Sequence, residues 1–258
     1  MRSLLFFGLL FIGSFVHAQK VNTKPKAKLV LKISQEDGTN ASGVAWDENT
    51  GYYYTVFAGN VDYPLEVFNG QGSKVQKKTT GADVRGLWYN SEEDAIQANG
   101  YTNQDILTYE RNANGAITGE PISETTIESL PNDQSCLAFD DDQNLLLAWD
   151  GDMEEVVFYK PGNGEQKKTL AISLPKKAGT INYTSVIYTG IKGAELGLLD
   201  VDNKKVYLFN KKNGELTYTI TLPEDAVVND AFRFAYANGN IFLYDVDTRT
   251  WTGYKIAE

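Results

Sequence analysis

The feature that most constrains the fold is a meander of short strands that recurs with a period of 41 to 50 residues. Its clearest copy, residues 196–222, contains three alternating runs separated by a polar turn and by Asn213-Gly214. An Asn-Gly dipeptide adopts positive φ readily and therefore favours a tight hairpin. An aromatic residue closes the third strand of every copy: Phe68, Tyr109, Tyr159, Phe209 and Tyr254. Four short strands at this period are typical of a β-propeller blade, which buries its faces only against neighbouring blades.

The copies predict an all-β protein, a β-propeller of five four-stranded blades. Their first strands are predicted over 44–46, 84–89, 136–139, 185–188 and 231–235, each with an aromatic marker: Trp46, Tyr89, Phe139, Tyr188 and Phe234. The fifth copy lacks a fourth strand, whereas an unassigned strand, 28–34, precedes the first copy. Adding that strand to the last blade closes the ring and covers a broken sheet edge. Six blades is the alternative, if 117–132 contains a degenerate unit.

The N-terminus has the three parts of a cleavable export signal. Arg2 is basic, residues 4–16 are apolar, and Ala18 is the small residue expected before the cut. The apolar run is shorter than the ~20 residues a membrane-spanning helix needs, and no cysteine follows the cut for lipid attachment. We therefore predict a signal peptide over 1–18, a disordered tether over 19–27 and one propeller domain over 28–258. The mature protein is expected to be secreted or periplasmic, without membrane insertion.

Composition excludes several classes of site. The only histidine, His17, falls within the predicted signal, which excludes Ser-His-Asp catalysis and His-ligated zinc from the mature chain. The only cysteine, Cys136, lies in an apolar run and is predicted to be a buried small hydrophobe. A formal net charge of −10 argues against nucleic-acid binding, which needs a basic surface.

Polar residues are concentrated at one end of the predicted blades. In a four-stranded meander, the turn between strands two and three lies at the same end as the link to the next blade, and both are rich in Asp and Asn. The link residues nearest the channel form the predicted ligand-binding group: Asn40, Asp83, Asp133, Asn182 and Asp230. An oxygen-rich ring without histidine suits a hard cation such as Ca²⁺, and equally a cationic or hydroxyl-rich ligand. Turn formation competes with this interpretation, because Asp and Asn side chains also bond nearby backbone amides.

Two stretches, 43–52 and 131–145, carry a family resemblance. Both resemble the exported propellers of the NHL-repeat and SMP-30/gluconolactonase-like superfamily. The resemblance implies a channel metal held by Glu, Asn and Asp; Asn132 and Asp230 match in setting, but Ala41-Ser42 stands where the Glu is expected. We therefore predict a binding module whose partner is a protein, a small molecule or a carbohydrate. The alternative is a Ca²⁺- or carboxylate-dependent hydrolase of the lactonase or glycosidase type, with Asp83, Asp133 and Asp230 as its carboxylates.

Overall fold

The computed structural model describes residues 27–32 and 40–256. Strands, joined by turns and links, are the only regular secondary structure in these residues. Accordingly, none of these residues belongs to a helix able to cross a membrane. The predicted signal peptide, 1–18, and the tether except for Ala27 lie outside the described residues. The cleavage and export predictions therefore stay predictions.

Twenty strands form five four-stranded antiparallel sheets, the blades of a ring. The strand before blade 1 is β1 (Ala27–Lys32). Blade 1 contains β2 (Asn40–Asp47), β3 (Tyr52–Ala58), β4 (Pro64–Asn69) and β5 (Lys74–Thr79). Blade 2 contains β6 (Val84–Asn90), β7 (Ala95–Gly100), β8 (Asp105–Tyr109) and β9 (Ile122–Thr126). Blade 3 contains β10 (Ala138–Asp140), β11 (Leu145–Asp150), β12 (Glu155–Tyr159) and β13 (Gln166–Ala171). Blade 4 contains β14 (Ile187–Tyr188), β15 (Leu196–Asp200), β16 (Lys205–Phe209) and β17 (Leu216–Thr221). Blade 5 contains β18 (Phe234–Ala237), β19 (Asn240–Asp245) and β20 (Thr250–Lys255).

The N-terminal strand completes the last blade, as predicted. Strand β1 pairs antiparallel with β20, so blade 5 has the order β1-β20-β19-β18. Leu31 is fully buried and packs in one cluster with Phe242, Tyr244 and Trp251. The chain therefore closes its ring with an element from the opposite end of the sequence.

The blade count of five is confirmed, and the six-bladed alternative is wrong. Residues 117–132 contribute β9 and the link to blade 3, without a further sheet. The run after the Asn114-Gly115 turn predicts the fourth strand of blade 2 over 116–122, whereas in the structure this strand begins only at Ile122. Gln76 explains the delay, because its side-chain amide accepts a hydrogen bond from the Ile117 N–H at 2.8 Å and donates one to the Ile117 carbonyl at 2.9 Å. This segment therefore packs against blade 1 before it joins its own sheet.

The first strand of blade 5 also begins later than predicted, at Phe234. Phe232 and Arg233 have positive φ values of 53° and 58°, which are incompatible with a strand. Tyr236, which pairs with Ile241, is consequently the blade 5 equivalent of Trp46, which pairs with Tyr53. The predicted marker for this blade, Phe234, was wrong by two positions.

Strand direction gives the ring two different faces. The turns between first and second strands, and between third and fourth strands, lie on one face, named here the hairpin face. The links between blades and the turns between second and third strands lie on the other, the link face. All first strands run from the link face to the hairpin face along the central channel.

Candidate functional site

The first strands of all five blades surround a cavity of about 330 Å³. The cavity extends from Ser42 and Cys136, which are buried near the link face, to five residues at the hairpin face. Those five residues each follow the hydrogen-bonded end of a first strand and form a ring at the mouth: Glu48, Ser91, Asp141, Gly190 and Asn238. All five are exposed, so the cavity opens on the hairpin face.

The cavity wall is mainly aromatic and aliphatic. Seven aromatic residues contribute to it, one or two from each blade. Trp46, Tyr89, Tyr188 and Tyr236 are half-buried there, with part of each side chain packed between blades. The Trp46 ring, for example, lies 4.4 Å from Tyr53 between ring centroids and packs against a cluster that includes Phe242 of blade 5. Because these rings are held by blade packing, they form a fixed wall for an apolar or aromatic surface.

The only charged residues that line the cavity, among those described, are Glu48 and Asp141. Asp141 accepts a hydrogen bond from the Ser91 hydroxyl at 3.2 Å. Burial of its carboxyl raises the Asp141 pKa, the hydrogen bonds from Ser91 act against this, and the negative charges of Glu48 and Asp140 raise the pKa further. The residue as a whole is exposed, and it lines the cavity at its mouth. Two carboxylates from different blades thus share one opening.

A buried cation joins blade 3 to blade 4 beside this mouth. The Lys211 ammonium group donates to both Asp140 carboxylate oxygens at 2.9 Å, to Asp142 at 3.0 Å and to the Tyr188 hydroxyl at 2.9 Å. The Tyr188 hydroxyl in turn donates to Asp142 at 2.8 Å. Burial and the two carboxylates raise the Tyr188 pKa, so the phenol stays protonated and keeps its hydrogen bond to Asp142.

The same arrangement joins blade 1 to blade 2. Arg111 Nε lies 3.0 Å from the buried Asp47 carboxylate, at an angle that makes an ion pair without a hydrogen bond. Arg111 also pairs with Asp94, which accepts a hydrogen bond from the Tyr89 hydroxyl at 2.7 Å. We name these two clusters the latches: Asp47, Tyr89, Asp94 and Arg111 in the first, and Asp140, Asp142, Tyr188 and Lys211 in the second.

Hydrogen bonds between blades close the channel at the link face. The Cys136 N–H donates to the Thr184 carbonyl at 2.7 Å, and the Tyr183 N–H donates to the Asp230 carbonyl at 2.8 Å. The Arg233 N–H donates to the Ala41 carbonyl at 2.8 Å, across the junction of blades 5 and 1. At these three junctions, adjacent blades therefore meet at the starts of their first strands, which narrows the channel. We name this narrowed end of the cavity its floor.

Arg85 and Phe232 fill the space below this floor. Arg85 lies in a bulge of β6 and is 4 % exposed. Its guanidinium carbon lies 4.1 Å from the Tyr101 ring centroid and 6.0 Å from that of Phe232. It donates to Asp83 at 2.5 Å and to Gln134 at 2.8 Å. A charge held by rings and hydrogen bonds in this way plugs the link end of the channel.

The predicted link-face residues fall into two pairs and one separate position. Asp83 and Asp133 are joined through Arg85 and Gln134, because the Gln134 amide also donates to Asp133 at 3.3 Å. Asn182 lies beside the Asp230 segment, donating to the Asn229 carbonyl at 2.8 Å. Asn40 begins β2, opposite Ala58. None of these five residues lines the cavity.

Most of these side chains already have partners. Asn182 is fully buried; its amide also donates to the Phe232 carbonyl, and its oxygen accepts from Thr184 and Ser185. The Asp83 carboxylate also accepts from the Gly59 N–H at 2.6 Å. Ligand binding by this link-face group stays a prediction that the structure does not test.

The predicted metal ligands are Asn132 and Asp230. Asn132 accepts a hydrogen bond from the Gln134 N–H at 2.8 Å, as a turn residue does, whereas Asp230 is exposed. The described residues contain no group of three His, Cys, Asp or Glu side chains placed to hold a metal ion. Because Ca²⁺ takes 6–8 oxygen ligands, these two residues do not make a calcium site by themselves. We derive no metal chemistry from them.

The buried Cys136 behaves as the composition predicts. It is 4 % exposed, and burial raises the pKa of its thiol to about 11. Its sulfur contacts the Gln134 carbonyl at 3.8 Å. A protonated, enclosed thiol is a poor nucleophile, so Cys136 is part of the cavity floor rather than a reactive group.

Comparison with known proteins supports the fold alone. No family model matches the chain. No curated protein matches it either. Among solved structures, the chain is similar to a glutaminyl cyclase from Myxococcus xanthus, with 14 % identity over 89 % of this chain and 91 % of the other and a TM-score of 0.56. It also matches a nidogen/laminin complex structure at 12 % identity, 80 % and 72 % coverage and a TM-score of 0.46. A Bacteroides caccae protein of unknown function matches at 14 % identity, 81 % and 71 % coverage and a TM-score of 0.45.

Proposed function

We propose that this protein is an exported β-propeller that binds a small organic molecule in its central cavity, entered from the hairpin face. The observation that carries the proposal is a cavity of about 330 Å³ with a floor beneath which Arg85 and Phe232 pack, a wall of aromatic rings and two carboxylates at its mouth. Ligand sites are concave and mostly apolar, with a few polar groups that orient the ligand. The proposed site therefore opens on the hairpin face, whereas the ligand-binding residues predicted from the sequence lie on the link face.

A mouth-blocking variant tests the proposal. Ser91 lies exposed in the mouth ring, so Ser91→Trp should obstruct the entrance without disturbing the buried packing. Thr102→Trp is the matched control, because Thr102 is an exposed turn residue of the same blade on the link face. A library of small organic molecules at millimolar concentration, covering cations, neutral polar compounds and anions, would be screened by thermal shift on all three proteins.

A ligand at 100 times its Kd stabilises the folded state by about 2.7 kcal/mol, which raises Tm by roughly 5–10 °C for a domain of this size. We expect such shifts with wild type and Thr102→Trp, but not with Ser91→Trp. A compound that stabilises Ser91→Trp equally binds elsewhere. The absence of any shift across the library would contradict the proposal.

Hydrolysis is the second candidate function, favoured by the two carboxylates at the mouth. A glycosidase needs one carboxyl with a raised pKa and one that is ionised, and the raised pKa of Asp141 beside Glu48 is of this kind. A panel of chromogenic glycosides and lactones tests this candidate. Turnover that is lost in Asp141→Asn would support it, and no turnover by the wild type would leave binding as the function.

Export and ancestry form a separate part of the proposal. The N-terminal pattern supports cleavage after Ala18, and the blade pattern supports a relation to the NHL-repeat and SMP-30/gluconolactonase-like superfamily. N-terminal sequencing of the protein from a secreted or periplasmic fraction tests the first point. A mature N-terminus at Gln19 is expected, whereas retention of Met1 in that fraction would contradict it.

A further inference from the structure

We infer that the ligand of this cavity is an organic cation, whose positive group lies between Glu48 and Asp141 and whose body lies against the aromatic wall. The inference rests on the proposed function and adds the chemical class of the ligand. It begins from the charges of the cavity: both charged residues that line it are acidic, and no Lys or Arg of the described chain does so.

Glu48 and Asp141 differ from the aspartates next to them in that they have no cationic partner among the described residues. The acidic residues immediately before them, Asp47 and Asp140, are buried and paired with Arg111 and Lys211. Within the described residues, Glu48 has no ion-pair partner and Asp141 has only the Ser91 hydrogen bonds. The protein therefore neutralises its structural carboxylates and leaves negative charge at the cavity mouth. A bound cation would relieve the repulsion between Glu48 and Asp141.

The wall suits the same class of ligand. A cation near the face of an aromatic ring is attracted by the ring's quadrupole, and aromatic cages are a recurring way to hold ammonium groups. Trp46, Tyr89, Tyr188 and Tyr236 surround the cavity from four blades. The latches hold two of these rings, Tyr89 and Tyr188, because their hydroxyl groups are directed to carboxylates and the Arg111 guanidinium and the Lys211 ammonium lie 5.6 and 5.0 Å from the ring centroids. Among the described residues no cation lies over Trp46 or Tyr236, so these two rings are the ones that face the ligand's positive group.

The floor provides an independent sign of a ligand. Ser42 lies at a bulge of β2, between Ala41 and Gly43, and lines the cavity. It is 2 % exposed, and its hydroxyl oxygen has no hydrogen-bond partner among the described residues. A buried hydroxyl is normally satisfied, and bulges often redirect a side chain near a functional site. We therefore expect the ligand to carry a hydroxyl or amino group at the end opposite its positive group.

The depth of the cavity agrees with an elongated ligand. Ser42 lies in β2 and Glu48 directly follows that strand, six residues further on, a separation of about 20 Å at the usual rise of a β-strand. The net charge of −10 would additionally attract a cation to the protein. A neutral sugar could also stack on the rings, whereas an anion would face two carboxylates. Sugar binding is therefore the principal outcome to distinguish.

Matched pairs of probes separate charge from shape. Choline and its neutral isostere 3,3-dimethylbutan-1-ol form one pair and test the mouth. The longer compounds 8-aminooctan-1-ol and octane-1,8-diol form the other pair, since 8-aminooctan-1-ol carries a positive group at one end and a hydroxyl group, directed toward Ser42, at the other. Affinities would be measured by calorimetry on wild type, Glu48→Gln, Asp141→Asn and Ser91→Trp. Asp62→Asn is the control, because Asp62 is an exposed carboxylate of the link face.

We expect at least one cation to bind wild type at least about tenfold more tightly than its neutral partner, and each mouth variant to weaken it about tenfold. Asp62→Asn should leave the affinity unchanged. The cation inference is overturned if the neutral partners bind as tightly as the cations and neither Glu48→Gln nor Asp141→Asn changes the affinity. If Ser91→Trp still abolishes binding in that case, the cavity does bind ligands and the proposed function stands. If neither cation binds wild type in the millimolar range, the inference is overturned while the library screen still decides the proposed function.

Discussion

Replacing Leu31 by alanine should destabilise the whole ring, because this side chain fixes the strand that closes it. Leu31 is 0 % exposed and packs with Phe242, Tyr244 and Trp251 of blade 5. Truncating a fully buried leucine removes its transfer free energy and leaves a cavity, at a cost of about 2–5 kcal/mol. Within the described residues, β1 pairs only with β20, and Leu31 is its one fully buried side chain, with Leu29 partly buried against the same cluster.

The neighbouring residue provides the control. Val30 lies on the same strand but is 50 % exposed, so Val30→Ala removes a similar amount of side chain without opening a buried cavity. For a domain of this size, 1 kcal/mol shifts Tm by about 2–4 °C. We therefore expect Leu31→Ala to melt roughly 6–12 °C below wild type, taking about 3 kcal/mol as a central value. Val30→Ala should melt within about 2 °C of wild type.

The assay is thermal and urea unfolding, followed by circular dichroism and by tryptophan fluorescence, since the buried Trp251 lies opposite Leu31 in the ladder. A single transition with a lower midpoint is expected for Leu31→Ala. The reasoning would be refuted if the two alanine variants melted together near wild type. Ring stability would then not depend on closure by β1.

Two further predictions concern charge and backbone. Lys211→Met should cost about 3–5 kcal/mol near neutral pH, because it leaves the buried Asp140 carboxylate without its cation. Burial lowers the Lys211 pKa, but the bonds to its two carboxylates outweigh this and the net direction is upward. The stabilisation by Lys211 is therefore complete below its unfolded pKa of about 10.4 and is lost as the pH rises through its higher folded pKa. The difference in Tm between wild type and Lys211→Met should accordingly narrow as the pH rises above about 10.4. A difference that stays constant up to pH 12 would contradict this. Glu154 has a φ of 51°, so Glu154→Gly should raise the free energy of unfolding by about 0.5–1 kcal/mol. Glycine relieves the left-handed backbone strain, and this gain exceeds the cost of the greater conformational entropy that glycine gives the unfolded chain. Glu155→Gly, in β12, should instead lose stability in the same urea titration, and equal effects at both positions would refute the backbone explanation.

The fold could be predicted because its determinants repeat along the sequence. The aromatic residues that close the third strands, such as Phe68 and Phe209, are all buried between blades, as their recurrence implies. An extra strand before the first copy and a missing fourth strand in the last copy together indicated the closure. These signals depend on hydrophobic periodicity, which a single sequence shows directly.

The open face of the channel could not be predicted in the same way. The floor depends on backbone hydrogen bonds at Ala41, Thr184 and Asp230, and any residue type can make them. It also depends on the left-handed conformation of Phe232, which its sequence gives no reason to expect. The burial of Arg85 at the link end could not be predicted either, because a single arginine close to an aspartate in sequence usually indicates an ion pair on the surface. Sequence reasoning therefore favoured the face where Asp and Asn are most frequent, and missed Glu48 and Asp141.

Neighbouring residues divide the charges of the hairpin face between stability and the cavity. In blades 1 and 3, the strand-ending aspartates, Asp47 and Asp140, turn toward the next blade and join its basic residue in a latch. The residues that follow them, Glu48 and Asp141, line the cavity instead. Glu48 directly follows Asp47, and Asp141 directly follows Asp140. Because each latch holds the aspartate, it also fixes the backbone position of the mouth carboxylate that comes next. Neutralising a mouth residue should therefore change ligand affinity with little change in Tm, whereas breaking a latch should change both.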